Sequence, residues 1–147
     1  AKNFSPKDFA ENHPGGSLGK KFFTAKDLMV QKKDIPSLAE NTRIYDAIYP
    51  ISSAGLGLTM INKKNKIVGI FTDGDLRRCL EKKIDISKTT LIKVMTRDFK
   101  SIEENEFLSK AISQMERYKV FSLLVKDTNG KVTGLLRMHD LLKAKII

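Results

Sequence analysis

Residues 69–75 read Gly-Ile-Phe-Thr-Asp-Gly-Asp, and residues 134–140 read Gly-Leu-Leu-Arg-Met-His-Asp. Each stretch opens with a glycine and an apolar pair and closes with an aspartate. They lie 65 residues apart (134 − 69). A regular spacing of this kind indicates an internal repeat, the first feature to look for in a sequence.

The repeat extends well beyond these two stretches. At an offset of 64 residues, and of 65 after one inserted residue, many positions are identical between the copies. The identical pairs are Asp34/Asp98, Ser37/Ser101, Glu40/Glu104, Asn41/Asn105, Ala47/Ala111, Ile48/Ile112, Lys66/Lys131, Gly69/Gly134, Asp75/Asp140 and Leu76/Leu141. Upstream, Leu28-Met29 matches Val94-Met95. The sequence therefore predicts two copies of one supersecondary unit, over about residues 27–83 and 93–147.

Each copy has the same predicted order of elements: strand, helix, strand, strand, helix. Apolar residues recur at helical spacing in the first helix, and we expect Asn41 and Asn105 to cap it. Pro50 lies late in that helix, where a proline costs about 3 kcal/mol, so we expect a kink or an end near Tyr49. We expect a three-stranded sheet in each copy, within an α/β (α+β) fold whose two copies are related by a pseudo-twofold axis.

The remaining elements are two strands joined by a polar turn, and a closing helix. They are predicted at residues 58–61, 67–71 and 73–83 in the first copy, and at 123–125, 132–136 and 138–144 in the second. Ile48 and Ile112 should be equivalent core residues. Cys79 shares an apolar face with Leu76 and Leu80, so we expect it to pack in the core.

Composition limits the classes of protein that fit. The chain has 147 residues, of which 41% are hydrophobic and 30% charged, as folded domains have. It has no apolar run of 18 residues and only one cysteine, so we expect no membrane span and a reducing, cytoplasmic compartment. The net charge of +10 is spread along the chain without an arginine-rich arm, so we expect no nucleic-acid partner. No residues have metal-ligand spacing.

The order of elements, the repeat length and the phrase Gly69–Asp75 together resemble the CBS domain. Residues 27–147 resemble a tandem CBS pair, also called a Bateman module. Such pairs commonly bind adenosyl or other nucleotides and regulate an attached enzyme or transporter, and the resemblance implies that role here.

A longer resemblance covers the whole chain. The segments 69–78, 138–144 and 9–21, the last containing His-Pro-Gly-Gly, resemble the D-arabinose-5-phosphate isomerase family, in which a sugar-isomerase (SIS) domain precedes the CBS pair. The resemblance implies that residues 1–24 are the end of a SIS domain plus a linker, that 25–83 form the first CBS domain and that 84–147 form the second.

The first candidate ligand site is Thr72 with Asp75. Threonine before a helix with an acid three residues later approximates a capping box, which is a purely structural explanation. A helix N-terminus also suits a phosphate, and a carboxylate can accept hydrogen bonds from ribose hydroxyls. The resemblance implies this second use, with Arg77 and Arg78 as nearby cations.

The second copy departs from that pattern because Arg137 replaces the threonine, while Asp140 stays. Arginine cannot cap a helix N-terminus, and its charge opposes the helix dipole there. We expect either a surface ion pair with Asp140 or a group that binds a carboxylate or phosphate of a ligand. His139 could donate to the same ligand or be an ordinary exposed histidine.

The resemblance also implies a catalytic role for His13 in the parent isomerase, because aldose–ketose isomerisation moves a proton between adjacent carbons. Without the rest of its domain the fragment should be inactive. We expect no catalytic cofactor, and as regulatory ligand an AMP-like nucleotide or a CMP-sugar such as CMP-Kdo. Expected partners are the SIS domain and a second copy in a homodimer, within a higher homo-oligomer. The alternative is a structural dimerisation module without a ligand.

Overall fold

The computed structural model describes residues 22–147. Its helices are α1 (Ala25–Leu28), α2 (Ile44–Ala54), α3 (Asp73–Glu81), α4 (Leu108–Tyr118) and α5 (Met138–Lys143). Its strands are β1 (Val30–Gln31), β2 (Ser37–Ala39), β3 (Leu58–Lys63), β4 (Lys66–Thr72), β5 (Ser101–Glu103), β6 (Ser122–Lys126) and β7 (Val132–Arg137). The chain divides into two compact units. The first unit is Lys33–Phe99, and the described part of the second unit is 22–32 and 100–147.

The first unit contains a three-stranded sheet in the order β2-β3-β4. Strand β2 runs parallel to β3, whereas β3 and β4 form an antiparallel hairpin. The hairpin turns at Lys64 and Asn65, both in the left-handed region with φ of 52° and 65°, as a tight two-residue turn requires. The predicted strand, helix, strand, strand, helix order is confirmed in this unit.

The second unit has the same hairpin and parallel strand but a sheet of four strands, in the order β1-β7-β6-β5. The prediction of three strands is therefore wrong for this unit. The additional strand, β1, comes from the start of the first repeat and pairs with β7. The two spatial units are divided at different residues from the CBS domains predicted from the sequence, 25–83 and 84–147. Those domain boundaries remain predictions.

The registers of the two hairpins confirm the repeat offsets. Met60 pairs with Ile70 in the first unit, and Leu124 pairs with Leu135 in the second. The offset is 64 on the leading strand (124 − 60) and 65 on the returning strand (135 − 70), so the inserted residue lies in the turn between them. The register also shifts at the equivalent place in both hairpins, after Ile61 and after Val125.

Equivalent residues of the first helix form the core of each unit. Ile44, Ala47 and Ile51 are buried on α2, and their partners at an offset of 64 are buried on α4. Those partners are Leu108, Ala111 and Met115. Ile48 and Ile112, which we expected in the core, are half-buried in both units and remain equivalent. The periodic apolar face therefore predicted the packing of both helices.

The predicted asparagine caps are wrong. Helix α2 begins after Arg43 and helix α4 begins after Phe107, two residues beyond Asn41 and Asn105. In both units a tight turn stands where the cap was expected, closed in the first by a 3.0 Å bond from the Thr42 amide to the Ala39 carbonyl. No side chain caps either helix.

Main-chain carbonyls from distant segments take the place of those caps. The Ile44 amide donates to the Thr89 carbonyl at 2.9 Å, and the Leu108 amide donates to the Phe23 carbonyl at 3.0 Å. Amide groups in the first turn of a helix need an acceptor from outside the helix. Here tertiary structure supplies that acceptor, and a local cap motif could not reveal it.

Helix α2 does not end near Tyr49, as one of the two expectations had it, because it continues through Pro50 to Ala54. The proline lacks the amide that would bond to the carbonyl of Asp46. Asp46 is exposed, so water can satisfy that carbonyl. The apolar contacts of the buried Ile51, which follows the proline, favour continuation of the helix.

Candidate ligand site

In the first unit Thr72 and Asp75 bond to each other's main chain across the start of α3. The Thr72 Oγ1 accepts from the Asp75 amide at 3.0 Å, and the Asp75 Oδ2 accepts from the Thr72 amide at 3.0 Å. This is the reciprocal arrangement of a capping box, with aspartate in the place of the usual glutamate or glutamine. The expected structural role is therefore present in the geometry.

The Asp75 carboxylate has two further partners. The Arg78 Nη2 donates to its Oδ1 at 2.7 Å, and the Thr96 Oγ1 lies 3.3 Å from both carboxylate oxygens. Asp75 is buried, whereas the side chain of Arg78 is 56% exposed. A buried carboxylate needs such partners, because an unpaired buried charge is costly. Sequence reasoning missed Thr96, which lies at the start of the second repeat in the sequence but belongs to the first unit in the structure.

Two other residues of α3 lie on opposite sides of the helix. Arg77 is exposed, and Cys79 is buried in the core of the first unit, which confirms its predicted packing. Burial raises the pKa of the Cys79 thiol, and the negative charge of Asp75 raises it further. The thiol is therefore a packing group with little thiolate character.

In the second unit Arg137 and Asp140 form a two-point ion pair at the start of α5. The Arg137 Nη2 donates to Oδ1 at 2.8 Å, and its Nε donates to Oδ2 at 3.1 Å. The Asp140 Oδ2 also accepts from the Arg137 amide at 3.1 Å. The side chains are 22% and 14% exposed, so the pair is more buried than the predicted surface pair. Asp140 keeps its bond to the main chain although the threonine hydroxyl is lost.

The two units thus neutralise the same aspartate in different ways. In the first unit the arginine comes from within α3, one turn after Asp75. In the second unit it comes from the end of β7, before Asp140. Both carboxylates are acceptors held at a helix start, and both carry a cation that a ligand phosphate or carboxylate could engage.

The two histidines are the remaining site residues predicted from the sequence. His139 is exposed on α5, beside Asp140 in the chain. His13 lies outside the described residues. Among residues 22–147 no group of histidine, cysteine, aspartate and glutamate side chains could hold a metal ion. In the same range no helix is long and apolar enough to cross a membrane.

Comparison with known families agrees with this architecture. The sequence model of the CBS domain matches residues 25–82 and 91–146. The chain is 41% identical over 147 residues to arabinose 5-phosphate isomerase KdsD of Francisella tularensis, and 36% identical over 149 residues to the Pseudomonas aeruginosa protein of the same name. The two alignments include 99% and 100% of this chain but only 45% and 46% of the relatives. The chain therefore spans about half of their length.

Solved structures show the same fold. CBSX2 in complex with AMP has a TM-score of 0.73 at 22% identity, over 84% of this chain and 96% of that one. The CBS domain pair of MJ0100, in complex with 5′-methylthioadenosine and S-adenosyl-L-methionine, has a TM-score of 0.73 at 22% identity, over 83% and 94%. Two family matches in tandem cover most of the sequence, and both units have the predicted element order. The chain therefore belongs to the CBS domain family, as a tandem pair.

Proposed function

We propose that this chain is the regulatory CBS pair of an arabinose-5-phosphate isomerase and that it senses a nucleotide or nucleotide-sugar. The observation that carries the proposal is similarity along the entire chain to isomerases that are twice as long. The parent would interconvert D-ribulose 5-phosphate and D-arabinose 5-phosphate for synthesis of the acidic sugar Kdo. Its SIS domain would precede this chain in a cytoplasmic homo-oligomer that pairs CBS modules as homodimers.

The ligand chemistry is inferred from the paired aspartates and arginines. Similar CBS pairs are in complex with AMP and with S-adenosyl-L-methionine, which contain a ribose. A ribose diol would donate to Asp75, where it would replace the Thr96 hydroxyl, whose two 3.3 Å bonds are the weakest that the carboxylate makes. Arg78, which is bonded to Asp75, would turn toward the phosphate in the first unit, and Arg77 is exposed on the same helix. In the second unit Arg137 would take that role beside Asp140, and His139 is exposed on α5.

CMP-Kdo is the end product that this chemistry would suit. It carries a ribose diol and a carboxylate, and within the second unit the diol would donate to Asp140 while Arg137 would bind the carboxylate through two parallel bonds. An AMP-like nucleotide lacks the carboxylate and would use Arg137 less. The two ligands therefore predict different sensitivities to Arg137→Ala.

The second candidate function is a structural module that only holds subunits together. The capping bonds of Thr72 and the ion pair of Arg137 favour it, because every one of these groups already has a partner. In that case Asp75 and Asp140 would serve the helix starts alone, and no nucleotide would bind.

A thermal-shift panel separates these functions. We expect AMP, CMP or a CMP-sugar to raise the melting temperature in a saturable way, since a ligand of the native state stabilises it by mass action. The response should be lost in Asp75→Ala but kept in Asp46→Ala, an exposed carboxylate paired with Arg43 on α2. No response to any nucleotide would favour the structural module. A salt-sensitive response to any polyanion would instead indicate nucleic-acid binding.

Catalysis is assigned to the parent and not to this fragment. His13 would act in the isomerase site, together with residues that precede this chain. Residues 1–147 should therefore show no turnover of arabinose 5-phosphate. Measurable turnover would overturn the assignment of His13 as one part of a larger site.

A further inference from the structure

The segment that leads into the first repeat, together with the first residues of that repeat, is built into the second unit. We call residues 22–31 the strap. Phe23 and Ala25 are buried in the core of that unit, and the Ala25 amide donates to the Glu106 carbonyl at 2.9 Å. The strap ends as strand β1, which pairs with β7. Core packing and main-chain bonds both hold it, so it is an integral part of the second unit.

The strap also completes helix α4. The Phe23 carbonyl accepts from the Leu108 amide at 3.0 Å, and the Lys26 amide donates to the Glu104 carbonyl at 3.0 Å. No side chain caps α4 at Phe107. Release of the strap would therefore leave the first amide of the helix without its acceptor.

A glycine in β7 leaves the space that the strap occupies. A Cβ added at Gly134 would meet the Met29 thioether, with its Cγ at 2.8 Å and the Val30 carbonyl oxygen at 2.6 Å. Real Cβ contacts are never this close, and a main-chain oxygen cannot move aside without moving the strap. Alanine at position 134 should therefore push the strap off β7.

Residues 89–96, which we call the linker and which lead into the second repeat, occupy the equivalent place in the first unit. A Cβ at Gly69 would meet Met95 Sδ at 2.8 Å and the Thr96 carbonyl oxygen at 2.9 Å. Equivalent main-chain bonds recur as well. They join Ile44 to Thr89, Leu91 to Thr42, Ile92 to Glu40, and Ile70 to Thr96 in both directions. This matched arrangement provides an internal control for any perturbation of the strap.

The two arrangements differ in what they connect. The linker joins one repeat to the other, whereas the strap joins the residues before Phe22 to the first unit, which begins at Lys33. On β7 the strap pairs with Leu135 and Gly134, and the same strand ends at Arg137, whose guanidinium is bonded to Asp140. Arg137 therefore lies two positions beyond Leu135, a strap partner on β7, and its partner Asp140 follows on α5.

We propose that the strap, which is part of the second unit, relays the state of that unit to the residues that precede Phe22. A ligand that engages Arg137 and Asp140 would hold the end of β7, and so would hold the strap. This inference rests on the proposed function only where it names a nucleotide. The strap itself is tested without any ligand.

The first experiment is hydrogen exchange on the whole 147-residue chain, comparing Gly134→Ala with Gly69→Ala. Exchange of amides in residues 23–31 should rise by about tenfold or more in Gly134→Ala, as expected for loss of main-chain bonds, and residues 89–96 should be unaffected. Gly69→Ala should show the opposite pattern. If Gly134→Ala or Gly69→Ala does not fold, Met29→Ala and Met95→Ala provide the same comparison with a milder change. Strap exchange that is unchanged in both Gly134→Ala and Met29→Ala would overturn the proposal.

The second experiment tests the relay. Arg137→Ala should raise strap exchange several-fold, whereas Arg78→Ala, its counterpart in the first unit, should leave the strap unchanged. The relay would be rejected if strap exchange were equal in wild type and Arg137→Ala while Gly134→Ala still raised it. The strap would then only stabilise the second unit.

The third experiment adds CMP, with binding checked by calorimetry. If strap opening requires ligand release, a concentration 100 times the dissociation constant should slow strap exchange by up to about 100-fold. Binding without slowing would contradict the relay and leave the proposed function intact. Absence of binding would contradict the proposed function with this nucleotide, and the Arg137→Ala comparison would still decide the relay.

Discussion

Replacing Asp75 with alanine should cost the first unit stability as well as ligand affinity. The carboxylate accepts from the Thr72 amide at 3.0 Å, from Arg78 at 2.7 Å and from Thr96 at 3.3 Å. All three bonds end on one buried side chain, and alanine removes all of them.

The size of the loss follows from these contacts. Removing the acceptor at the Thr72 amide costs about 1 kcal/mol, as loss of a helix cap typically does. The Arg78 pair contributes less than about 1 kcal/mol, because its guanidinium is 56% exposed and solvent screens the pair. The long Thr96 bonds add about 0.5 kcal/mol. We therefore expect Asp75→Ala to lower the free energy of unfolding by about 2 kcal/mol.

Urea denaturation of wild type, Asp75→Ala and Asp75→Asn is the assay. Asparagine keeps one acceptor oxygen for the Thr72 amide but loses the charge and the second acceptor, which Arg78 uses, so its cost should be about half that of alanine. The control is Asp46→Ala, which breaks an exposed 2.9 Å pair with Arg43 and should cost a few tenths of a kcal/mol, about what such pairs contribute. A loss in Asp75→Ala no larger than in Asp46→Ala would refute the reasoning about burial and shared bonds.

Three further predictions concern single side chains. Pro50→Ala should raise the free energy of unfolding by about 1–2 kcal/mol in urea denaturation, because alanine restores the helix amide that proline lacks; destabilisation would contradict this. Cys79 should react with a thiol reagent at least about tenfold more slowly in the native chain than in urea, because burial raises its pKa; equal rates would place the thiol at the surface. The pKa of Asp85 should lie below its ordinary 3.8 in an NMR titration, because the Ser87 hydroxyl and amide donate to it. Its contribution to stability is therefore present above pH 3.8 and lost as the pH falls through the folded pKa, and Ser87→Ala should move the midpoint upward.

The repeat was the part of the fold that sequence predicted best. Identities at offsets of 64 and 65 predicted which residues of α2 and α4 share a core position, because the same apolar period is buried twice. The hairpin registers agree with the inserted residue between β3 and β4. Periodicity and repetition are local in sequence, so a single chain suffices to detect them.

Features that depend on distant segments could not be predicted in this way. Asn41 had the right chemistry for a cap, but the Thr89 carbonyl serves the start of α2 instead. Pro50 is tolerated in a helix whose residue Asp46, four positions earlier, is exposed. The strap packs against Gly134 in the second unit. The repeat showed that Gly134 matches Gly69, but it did not show that a side chain at either position would collide with a neighbouring segment.

The candidate site was predicted in part. Thr72, Asp75, Arg137 and Asp140 were selected from the sequence, and each pair does lie at a helix start. The Arg137–Asp140 pair was one of two expected arrangements and Arg78 was expected nearby, but Thr96 was missed because it is 21 residues from Asp75 in the sequence. Ligand binding would require these carboxylates to exchange an internal partner for a ligand group. That exchange depends on the difference in free energy between the two sets of bonds, which a sequence pattern does not give.

The most direct test of the central claim is an amide chemical-shift titration of the ¹⁵N-labelled chain with AMP, CMP and a CMP-sugar. The account predicts saturable shifts at Gly74 and Asp75 or at His139 and Asp140. It also predicts that Asp75→Ala weakens nucleotide binding at the first site by about 10- to 150-fold, the loss expected for one partner of a charged or polar ligand group. No saturable shift at either helix start, with any of the three compounds, would contradict nucleotide sensing and leave the structural module as the function.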